Sequence, residues 1–238
     1  MRRKRVADCA YAEEGADCRA ITDRFCRMVA VPNPTFAEER RLIAEGYSRI
    51  AGVDEVGAGC LAGPVFAAAV VLPLDSRIGL IRDSKLLSAN QRERVVEDIE
   101  RKAVAWAVGM ASPAEIDEIN IRQACALAMR RAVAALGKAP EFVLVDGYGV
   151  PGFPCPHKSI VKGDRLVKSI AAASIVAKVA RDAFMADMDV LFPGYGFADH
   201  KGYATEPHRE ALVRLGPCPL HRRSYEPVRA QMDSLPLR

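Results

Sequence analysis

Two adjacent carboxylates, Asp54 and Glu55, lie inside an apolar run that begins at Ile50. Such a run predicts a β-strand, and burying an acidic pair within it costs free energy unless something compensates the charge. A divalent cation is the usual compensation for clustered carboxylates. The pair therefore favours a metal site, although an acidic pair near a strand end is often only solvated surface.

Two further acids follow predicted strands. The apolar run 141–147 predicts a buried parallel strand with Asp146 at its carboxyl end. A shorter strand is predicted over 159–164 and ends on Asp164. Ligand sites in open α/β sheets gather at this edge, and neighbouring strands lie ~5 Å apart. Taken singly, Asp146 could be a turn residue and Asp164 an ion-pair partner, so the metal hypothesis depends on the combination.

Four carboxylates at one point could neutralise two divalent ions, and oxygen ligands favour Mg²⁺ or Mn²⁺ over zinc. Two such ions ~3.5–4 Å apart activate a water and stabilise a leaving oxygen in phosphodiester hydrolysis. The histidines match no zinc spacing, and we expect His200 and His221 to orient the basic C-terminal segment instead. The acids therefore predict metal-dependent hydrolysis of a phosphodiester.

Basic and aromatic side chains elsewhere in the chain could contact phosphate and sugar groups. The candidates are Lys85, Lys168, Lys201, Arg222, Arg223 and the aromatic Tyr203. The loop Gly57-Ala58-Gly59 offers backbone groups that could approach a ribose closely, and the 2′-hydroxyl of a ribose is what distinguishes RNA from DNA. Any single lysine or arginine is more often only a solvated group.

The elements that must position these residues alternate between helix and strand, which predicts an α/β fold. Capping boxes begin helices after Ser88 and Ser112, with Gln91 and Glu115 three residues on. The predicted helices cover 36–44, a stretch that begins at Ser88, 113–136, 166–188 and 206–215, and the other predicted strands cover 50–56, 65–72 and 103–110. The small residues 171–174 would let the fourth of these helices lie close to the sheet.

Length and composition are typical of one domain with a small appendage. The chain has 238 residues, half of them apolar, and a formal net charge of +4, which permits a nucleic-acid partner. No apolar run approaches the ~20 residues of a membrane span. Seven scattered cysteines without a Cys-x-x-Cys pair argue for a reducing, cytoplasmic location. We predict a poorly ordered tail over 1–35 and a domain over 36–238, whose basic C-terminal segment begins near 192.

The glycine loop also fits the dinucleotide-binding pattern Gly-x-Gly-x-x-Ala at Gly57, Gly59 and Ala62. That pattern requires a helix directly after the glycines. The apolar residues from Val65 onwards predict a strand instead, and the neighbouring carboxylates would repel a pyrophosphate. An oxidoreductase is therefore the weakest of the alternatives.

The order of these motifs resembles that of the ribonuclease HII family over residues 36–228. The matching segments are Gly52–Gly57, Leu61–Pro64, Asp83–Lys85, Val145–Gly147, Lys162–Asp164, Lys168–Ile175, Arg181–Asp182, Phe192–Phe197, His200–Tyr203 and His221–Ser224. The resemblance implies an RNase H-like mixed central sheet flanked by helices, with a small helical C-terminal segment. It also favours a monomer.

The resemblance implies endonucleolytic cleavage of RNA in RNA·DNA hybrids and incision 5′ to ribonucleotides embedded in duplex DNA. The products would carry 3′-hydroxyl and 5′-phosphate groups. The metal ligands implied for Mg²⁺ or Mn²⁺ are Asp54, Glu55, Asp146 and Asp164. Tyr203 matches the tyrosine that packs on the deoxyribose after the ribonucleotide, and Lys85 matches a phosphate-contacting lysine.

One residue departs from the family pattern. The family loop reads Gly-Arg-Gly, and this chain has Ala58 at the centre. A charge-assisted contact from arginine to phosphate is worth ~1.5–3 kcal/mol, so its loss predicts substrate binding weaker by about ten- to a hundredfold with the metal site intact. The alternative is a hybrid-binding protein with lost or weak catalysis.

Overall fold

The computed structural model describes residues 33–233 of the chain. The predicted tail 1–35 therefore lies outside the described residues except at its end, and the predicted domain boundary stays a prediction. Within the described part, the Thr35 amide donates a hydrogen bond to the Leu166 carbonyl at 3.0 Å, and the Lys168 amide donates to the Thr35 carbonyl at 3.0 Å. Thr35 thus already belongs to the folded structure.

Helices and strands alternate through the first half of the chain. They are α1 (Ala37–Ala44), β1 (Ile50–Val56), β2 (Val65–Val71), a 3₁₀ turn (Ser84–Leu86), α2 (Ala89–Lys102), β3 (Ala105–Ala111), α3 (Pro113–Ile119) and α4 (Ile121–Ala134). The second half contains β4 (Phe142–Asp146), β5 (His157–Ile160), α5 (Gly163–Leu166), α6 (Lys168–Leu191), α7 (Phe197–His200), α8 (Glu206–Leu215) and α9 (Glu226–Asp233).

The five strands form one mixed sheet in the order β3-β2-β1-β4-β5. The pairs β1–β2 and β2–β3 are antiparallel, whereas β1–β4 and β4–β5 are parallel. This arrangement confirms the predicted α/β class with a mixed central sheet. Because β2 follows the glycine loop, the dinucleotide-binding hypothesis is wrong: no helix opens there.

Helices cover both faces of the sheet, and the residues of β2 alternate between them as a strand requires. Val65, Ala67, Ala69 and Val71 pack with α4, while Ala68 and Val70 pack with α2 and α6. All seven residues of β2 are buried. The apolar run was therefore a strand covered on both sides.

Close packing of α6 on the sheet confirms the expectation drawn from its small residues. A Cβ atom on Gly52 of β1 would lie 2.1 Å from the backbone carbon of Ser169, so only glycine fits at this crossing. The approach brings the first turns of α6 against the strand that carries Asp54 and Glu55. The helix can therefore contribute side chains to the same edge of the sheet.

Both predicted capping boxes are present, but the long helix predicted over 113–136 is wrong. It is divided into α3 and α4 at Asn120, which has φ +67° and accepts a hydrogen bond from the Gln123 amide. With ψ at 162° the backbone of Asn120 leaves the helical conformation, and its side chain caps the next helix at once. The apolar spacing continues across the break, so periodicity alone did not reveal it.

The strand predicted over 159–164 is also wrong at its end. Strand β5 stops at Ile160, Lys162 adopts a left-handed conformation with φ +58°, and Asp164 lies in the first turn of α5. Helix α6 then runs three residues beyond its predicted end at Met188. These shifts change which element carries Asp164.

The C-terminal segment contains α7, α8 and α9, which confirms the predicted helical appendage. Its apolar cluster joins Phe197, Ala211 and Leu220 to Met185 of α6 and to Ala62 of the loop after β1. The segment is therefore packed against the glycine loop. None of the helices in residues 33–233 is long and apolar enough to cross a membrane.

Candidate active site

Asp54 lies in β1 directly after Val53, which pairs with Val145 of β4. This register brings Asp54 beside Asp146 at the end of β4. The Asp54 side chain is buried, and its Oδ1 accepts a hydrogen bond from the Glu55 amide at 2.8 Å. Burial raises the pKa of Asp54 well above its usual range, and the charges of Glu55 and Asp146 add to the effect. The folded structure therefore favours the protonated form of the Asp54 carboxyl group.

Glu55 shares this environment. Burial, followed by the charge of Asp146, raises the pKa of Glu55 to about 7, while the nearby Lys85 lowers it. Carboxylates that repel one another in a desolvated site are typical of positions where function needs the charge.

Asp164 reaches the same point from α5 rather than from a strand. Its amide donates a hydrogen bond to Oδ1 of Asp146 at 3.3 Å, so the two residues lie side by side. Burial raises the pKa of Asp164, and the charge of Asp146 raises it further. Gly163 permits the approach, because a Cβ atom there would lie 2.7 Å from the Ile170 side chain and 3.3 Å from the Asp146 carboxylate.

The four acids line one cavity of about 360 Å³, which we call the acid-lined cavity. Its lining residues are Asp54, Glu55, Val56, Ser84, Lys85, Arg92, Asp146, Asp164, Ser174, Lys178 and Tyr203. The structure therefore brings together acids that the sequence carries on three separate segments.

The donor set of this cavity suits a hard divalent cation, because it consists of carboxylate oxygens, and burial together with the neighbouring charges raises the pKa of Asp54, Glu55 and Asp164. Within residues 33–233, no three side chains of histidine, cysteine, aspartate or glutamate close around a single ion position. The fit to a metal thus lies in the chemistry and the shared cavity, and not in a closed cage of ligands.

Four polar residues of the cavity were missed from the sequence: Ser84, Arg92, Ser174 and Lys178. The Ser84 and Ser174 hydroxyls lie 3.2 Å apart, and Ser174 also hydrogen-bonds Asp54. Lys178 follows Ser174 by one helical turn, and this i, i+4 spacing of polar residues in an apolar helix was the available signal. Its ammonium group donates to Asp182 at 2.6 Å.

Tyr203 borders the cavity with 39% of its surface exposed, so its ring is available to a ligand. The guanidinium of Arg181 lies 5.8 Å from the centroid of that ring. A β-bridge between Tyr203 and Cys60 ties the tyrosine to the glycine loop. Ring and loop are therefore held as one unit.

Arg222 is not where the sequence predicted it. We expected a surface contact to substrate, but the side chain is fully buried beneath the loop. Its guanidinium donates to the carbonyls of Gly57 at 2.7 Å, Ala58 at 2.8 Å and Gly63 at 2.9 Å. A guanidinium with so many backbone acceptors holds the loop in shape, which is a positioning role.

Gly57 has a specific reason to be glycine. It has φ +91°, and a Cβ atom there would lie 2.2 Å from Nε of Arg181, whose side chain is also fully buried. Arg181 in turn donates to the carbonyls of Ala62 and Pro64, both at 3.2 Å. Arg181 and Arg222 together support the loop from below, while Gly59 remains exposed.

Two predicted substrate lysines lie outside the cavity. The Lys168 ammonium is 5.4 Å from the centroid of the Phe36 ring, and the Lys201 ammonium donates to the Ala198 carbonyl at 2.6 Å. Neither lines the acid-lined cavity. Lys85, by contrast, does line it, on the 3₁₀ turn that Asp83 caps.

A sequence model of the family described as Ribonuclease HII matches residues 51–228. The chain belongs to the ribonuclease HII family. It is 55% identical over 186 residues to a ribonuclease HII from Nitrosococcus oceani, covering 78% of this chain and 92% of that one. A second ribonuclease HII, from Desulfitobacterium hafniense strain Y51, is 50% identical over 82% of this chain and 75% of its own length.

Among solved structures, ribonuclease H2 from Pyrococcus horikoshii OT3 is similar with a TM-score of 0.66 at 26% identity, covering 78% of this chain and 98% of that one. The predicted family and the RNase H-like fold are thus confirmed. The chain is a ribonuclease H of type HII, a hydrolase with endonuclease activity.

Proposed function

We propose that this chain cleaves the RNA strand of RNA·DNA hybrids and incises 5′ to single ribonucleotides embedded in duplex DNA. The products carry 3′-hydroxyl and 5′-phosphate groups. The observation that carries the proposal is the meeting of Asp54, Glu55, Asp146 and Asp164 in one cavity that Lys85 and Tyr203 also border.

The four carboxylates would hold a pair of Mg²⁺ or Mn²⁺ ions. Bound ions of this kind lower the pKa of an attacking water and stabilise the leaving oxygen of a phosphodiester. Asp54 contributes from the most buried position, where Ser174 and the Glu55 amide fix its orientation. Asp146 is fixed in turn by the Asp164 amide.

Substrate recognition falls to the rim of the cavity. Lys85 binds a phosphate beside the reacting one, and the exposed ring of Tyr203 packs on the deoxyribose that follows the ribonucleotide. The buried Arg222 guanidinium donates hydrogen bonds to the Gly57 and Ala58 carbonyls. The other backbone groups of the loop Gly57-Ala58-Gly59 would then be available to the 2′-hydroxyl. Lys168 and Lys201 would contact the duplex farther from the cut.

Ala58 favours a second candidate function. Because this loop lacks the arginine of the family pattern, the chain could bind hybrids with lost or weak catalysis. The four acids argue for catalysis, since a protein that only binds a polyanion gains nothing from a buried cluster of like charges. We therefore rank the nuclease first.

A nicking assay separates the two candidates. The substrate is a labelled DNA duplex with one internal ribonucleotide, incubated with Mg²⁺ and, separately, with Mn²⁺. We expect a single cut on the 5′ side of the ribonucleotide, none in an all-DNA duplex, and none with EDTA or with the variant Asp146→Asn. Binding without cutting under both metals would favour the second candidate, and unaltered cutting by Asp146→Asn would contradict the first.

Restoring the loop arginine tests the account of Ala58. The variant Ala58→Arg should lower KM for the single-ribonucleotide duplex by about ten- to a hundredfold, because it adds one charge-assisted phosphate contact. An unchanged KM would mean that the alanine is not the defect that the family pattern suggests.

A further inference from the structure

A second cavity, of about 670 Å³, adjoins the acid-lined cavity and shares Glu55 and Asp146 with it. Its walls come from the glycine loop, the first turns of α4 and the loop after β4. The lining residues are Glu55, Ala58, Ile121, Arg122, Gln123, Cys125, Ala126, Met129, Asp146, Gly147, Tyr148, Gly149, Val150 and Pro151. Nothing in the proposed function so far uses this second cavity.

Arg122 is the one cationic side chain among the described residues that line the second cavity. It is exposed, and within residues 33–233 its guanidinium has no hydrogen bond or ion pair. Most other arginines near the two cavities are engaged: Arg222 holds loop carbonyls, and Arg131 pairs with Glu115 at 2.7 Å. Arg122 is therefore free to bind a ligand.

Because Glu55 and Asp146 line both cavities, one nucleic-acid strand could pass through both. A strand whose cleaved phosphate lies at Glu55 and Asp146 must leave the acid-lined cavity in both directions, and the second cavity is one of its exits. A phosphate that passes these carboxylates is repelled unless a cation lies near it. The apolar wall from Ile121, Ala126 and Val150 suits the sugar of the same nucleotide.

We propose that Arg122 binds a backbone phosphate of the ribonucleotide-bearing strand in the second cavity and supplies the cationic contact that Ala58 cannot. Ala58 presents only a methyl group to this cavity, because its carbonyl is turned to Arg222 and to the Tyr225 hydroxyl. An arginine at position 58 and the arginine at position 122 would thus reach the same space from opposite walls. The inference rests on the proposed function, since it assigns a phosphate subsite to that reaction.

The first experiment compares wild type with Arg122→Ala, Arg122→Lys and the control Lys138→Ala. Lys138 is an exposed cation just beyond the other end of α4, and the helix from Arg122 to Ala134 alone spans about 18 Å. We expect Arg122→Ala to raise KM about tenfold at unchanged kcat, Arg122→Lys to recover part of that loss, and Lys138→Ala to match wild type. Equal KM values for Arg122→Ala and Lys138→Ala would overturn the proposal.

A binding assay makes the test independent of cleavage. Fluorescence anisotropy in EDTA measures the Kd for the same duplex at several salt concentrations. Loss of one phosphate contact should make the slope of log K against log[salt] shallower by about 0.9 in Arg122→Ala and leave it unchanged in Lys138→Ala. If the wild-type protein binds the duplex without cutting it and Arg122→Ala still shows the shallower slope, the proposed nuclease activity is wrong and the Arg122 subsite is supported. If the slope is the same in Arg122→Ala and wild type, only the subsite is overturned.

The double variant tests the exchange of the two positions. Ala58→Arg should lower KM by a larger factor in the Arg122→Ala background than in wild type, because in wild type Arg122 already supplies part of the contact to that phosphate. If Ala58→Arg lowered KM by the same factor in wild type and in Arg122→Ala, the two arginines would make separate contacts. The proposal that they serve one phosphate would then be wrong.

Discussion

In both the acid-lined cavity and the C-terminal segment ionisable side chains are buried, but their neighbours differ. We call His200, His208 and His221 the histidine cluster; the rings of His200 and His208 stack 4.3 Å apart, and Nε2 of His208 lies 3.1 Å from Nε2 of His221. The acids face like charges, whereas the histidines face hydrogen-bond partners. This contrast separates a site that must act on a ligand from one that holds the fold.

The hydrogen bonds of the histidine cluster permit one neutral arrangement. The Cys218 amide donates to Nδ1 of His221, so Nε2 of His221 carries the proton and donates to His208. Nδ1 of His208 then donates to the Tyr203 carbonyl at 2.8 Å. Burial lowers the pKa of His208 and of His221 to about 4 each, which agrees with rings that have no room for a second proton.

The hydrogen bonds of the histidine cluster also show how the C-terminal segment is held. We expected His200 and His221 to orient it, and His221 does so from a buried position that joins α8 to the residues after it. Because the cluster ends on the Tyr203 carbonyl, it also fixes the residue that borders the acid-lined cavity. The cluster therefore positions Tyr203 at the edge of the acid-lined cavity.

The largest effect should come from removing one acid. Asp54→Asn deletes a carboxylate that we assign to metal binding, so the nicking rate should fall by at least about a hundredfold, more than an outer partner of a metal ligand costs. The free energy of unfolding without metal should stay the same or rise, since the variant relieves repulsion with Glu55 and Asp146. Nicking kinetics and urea unfolding measure the two quantities. If Asp54→Asn strongly lowered the free energy of unfolding and left the nicking rate unchanged, Asp54 would hold the fold and not act on a ligand.

Breaking the histidine cluster should give the opposite result. His208→Ala leaves a cavity and removes the partners of the Tyr203 carbonyl and His221, so it should lower the free energy of unfolding by about 2–4 kcal/mol. The residual folded protein should keep kcat within a few fold. Urea unfolding at pH 7.5 is the measurement, and a cost under about 1 kcal/mol would mean that the cluster is not structural.

The pH dependence of stability should sharpen the contrast, because the two regions have opposite signs. The folded pKa of Glu55, about 7, exceeds its ordinary 4.5, so the folded state binds more protons and Glu55 makes stability fall as pH rises from about 4.5 to 7. The histidines have lowered pKa values, so they make stability rise between about 4 and 6.5 and contribute fully above that.

The variant Glu55→Gln isolates the first of these slopes. In EDTA its free energy of unfolding relative to wild type should increase by about 2–3 kcal/mol between pH 4.5 and 7, and then remain constant. Unfolding curves at pH 5, 6, 7 and 8 measure the difference. A difference that does not change with pH would show that Glu55 ionises normally in the folded state.

The smallest effect on stability should come from the exposed ion pair of Glu115 with Arg131, which lies outside both regions. Glu115 hydrogen-bonds Arg131 and the Ser112 amide, and these bonds, with the Arg131 contact first, lower its pKa to about 2. Glu115→Gln keeps an acceptor in the capping box and loses only a solvent-screened ion pair, so stability at pH 7 should fall by about 0.5 kcal/mol. The nicking rate should not change, and a loss above about 1.5 kcal/mol would contradict the assignment of this pair to the surface.

Residues with strong local signals were predictable. Asp54, Glu55 and Asp146 end or interrupt apolar runs, and the register of β1 with β4 follows from two buried parallel strands. Ser88 and Ser112 began helices as their capping boxes required. In these cases the local preference and the final fold agree, which is the usual condition for a successful prediction.

Residues whose environment depends on distant segments were not predictable. Arg222 lies in a basic, broken stretch that is typical of surface, and its burial is set by carbonyls about 160 residues earlier in the chain. Asp164 moved from a strand to a helix because Lys162 adopts a left-handed conformation that no local pattern announces. Lys178 was missed because one lysine in an apolar helix is usually solvated.

The two buried arginines beneath the glycine loop also set an order of assembly. Arg181 and Arg222 come after all four acids in the sequence, so a growing polypeptide releases its acids from the ribosome before it releases the side chains that shape the loop. Arg181 lies in α6, the same helix that carries Ser174 and Lys178 of the acid-lined cavity, so that cavity and the loop both depend on a helix synthesised after the acids. The glycine loop therefore takes its final shape only when Arg222, the later of the two anchors in the sequence, has docked.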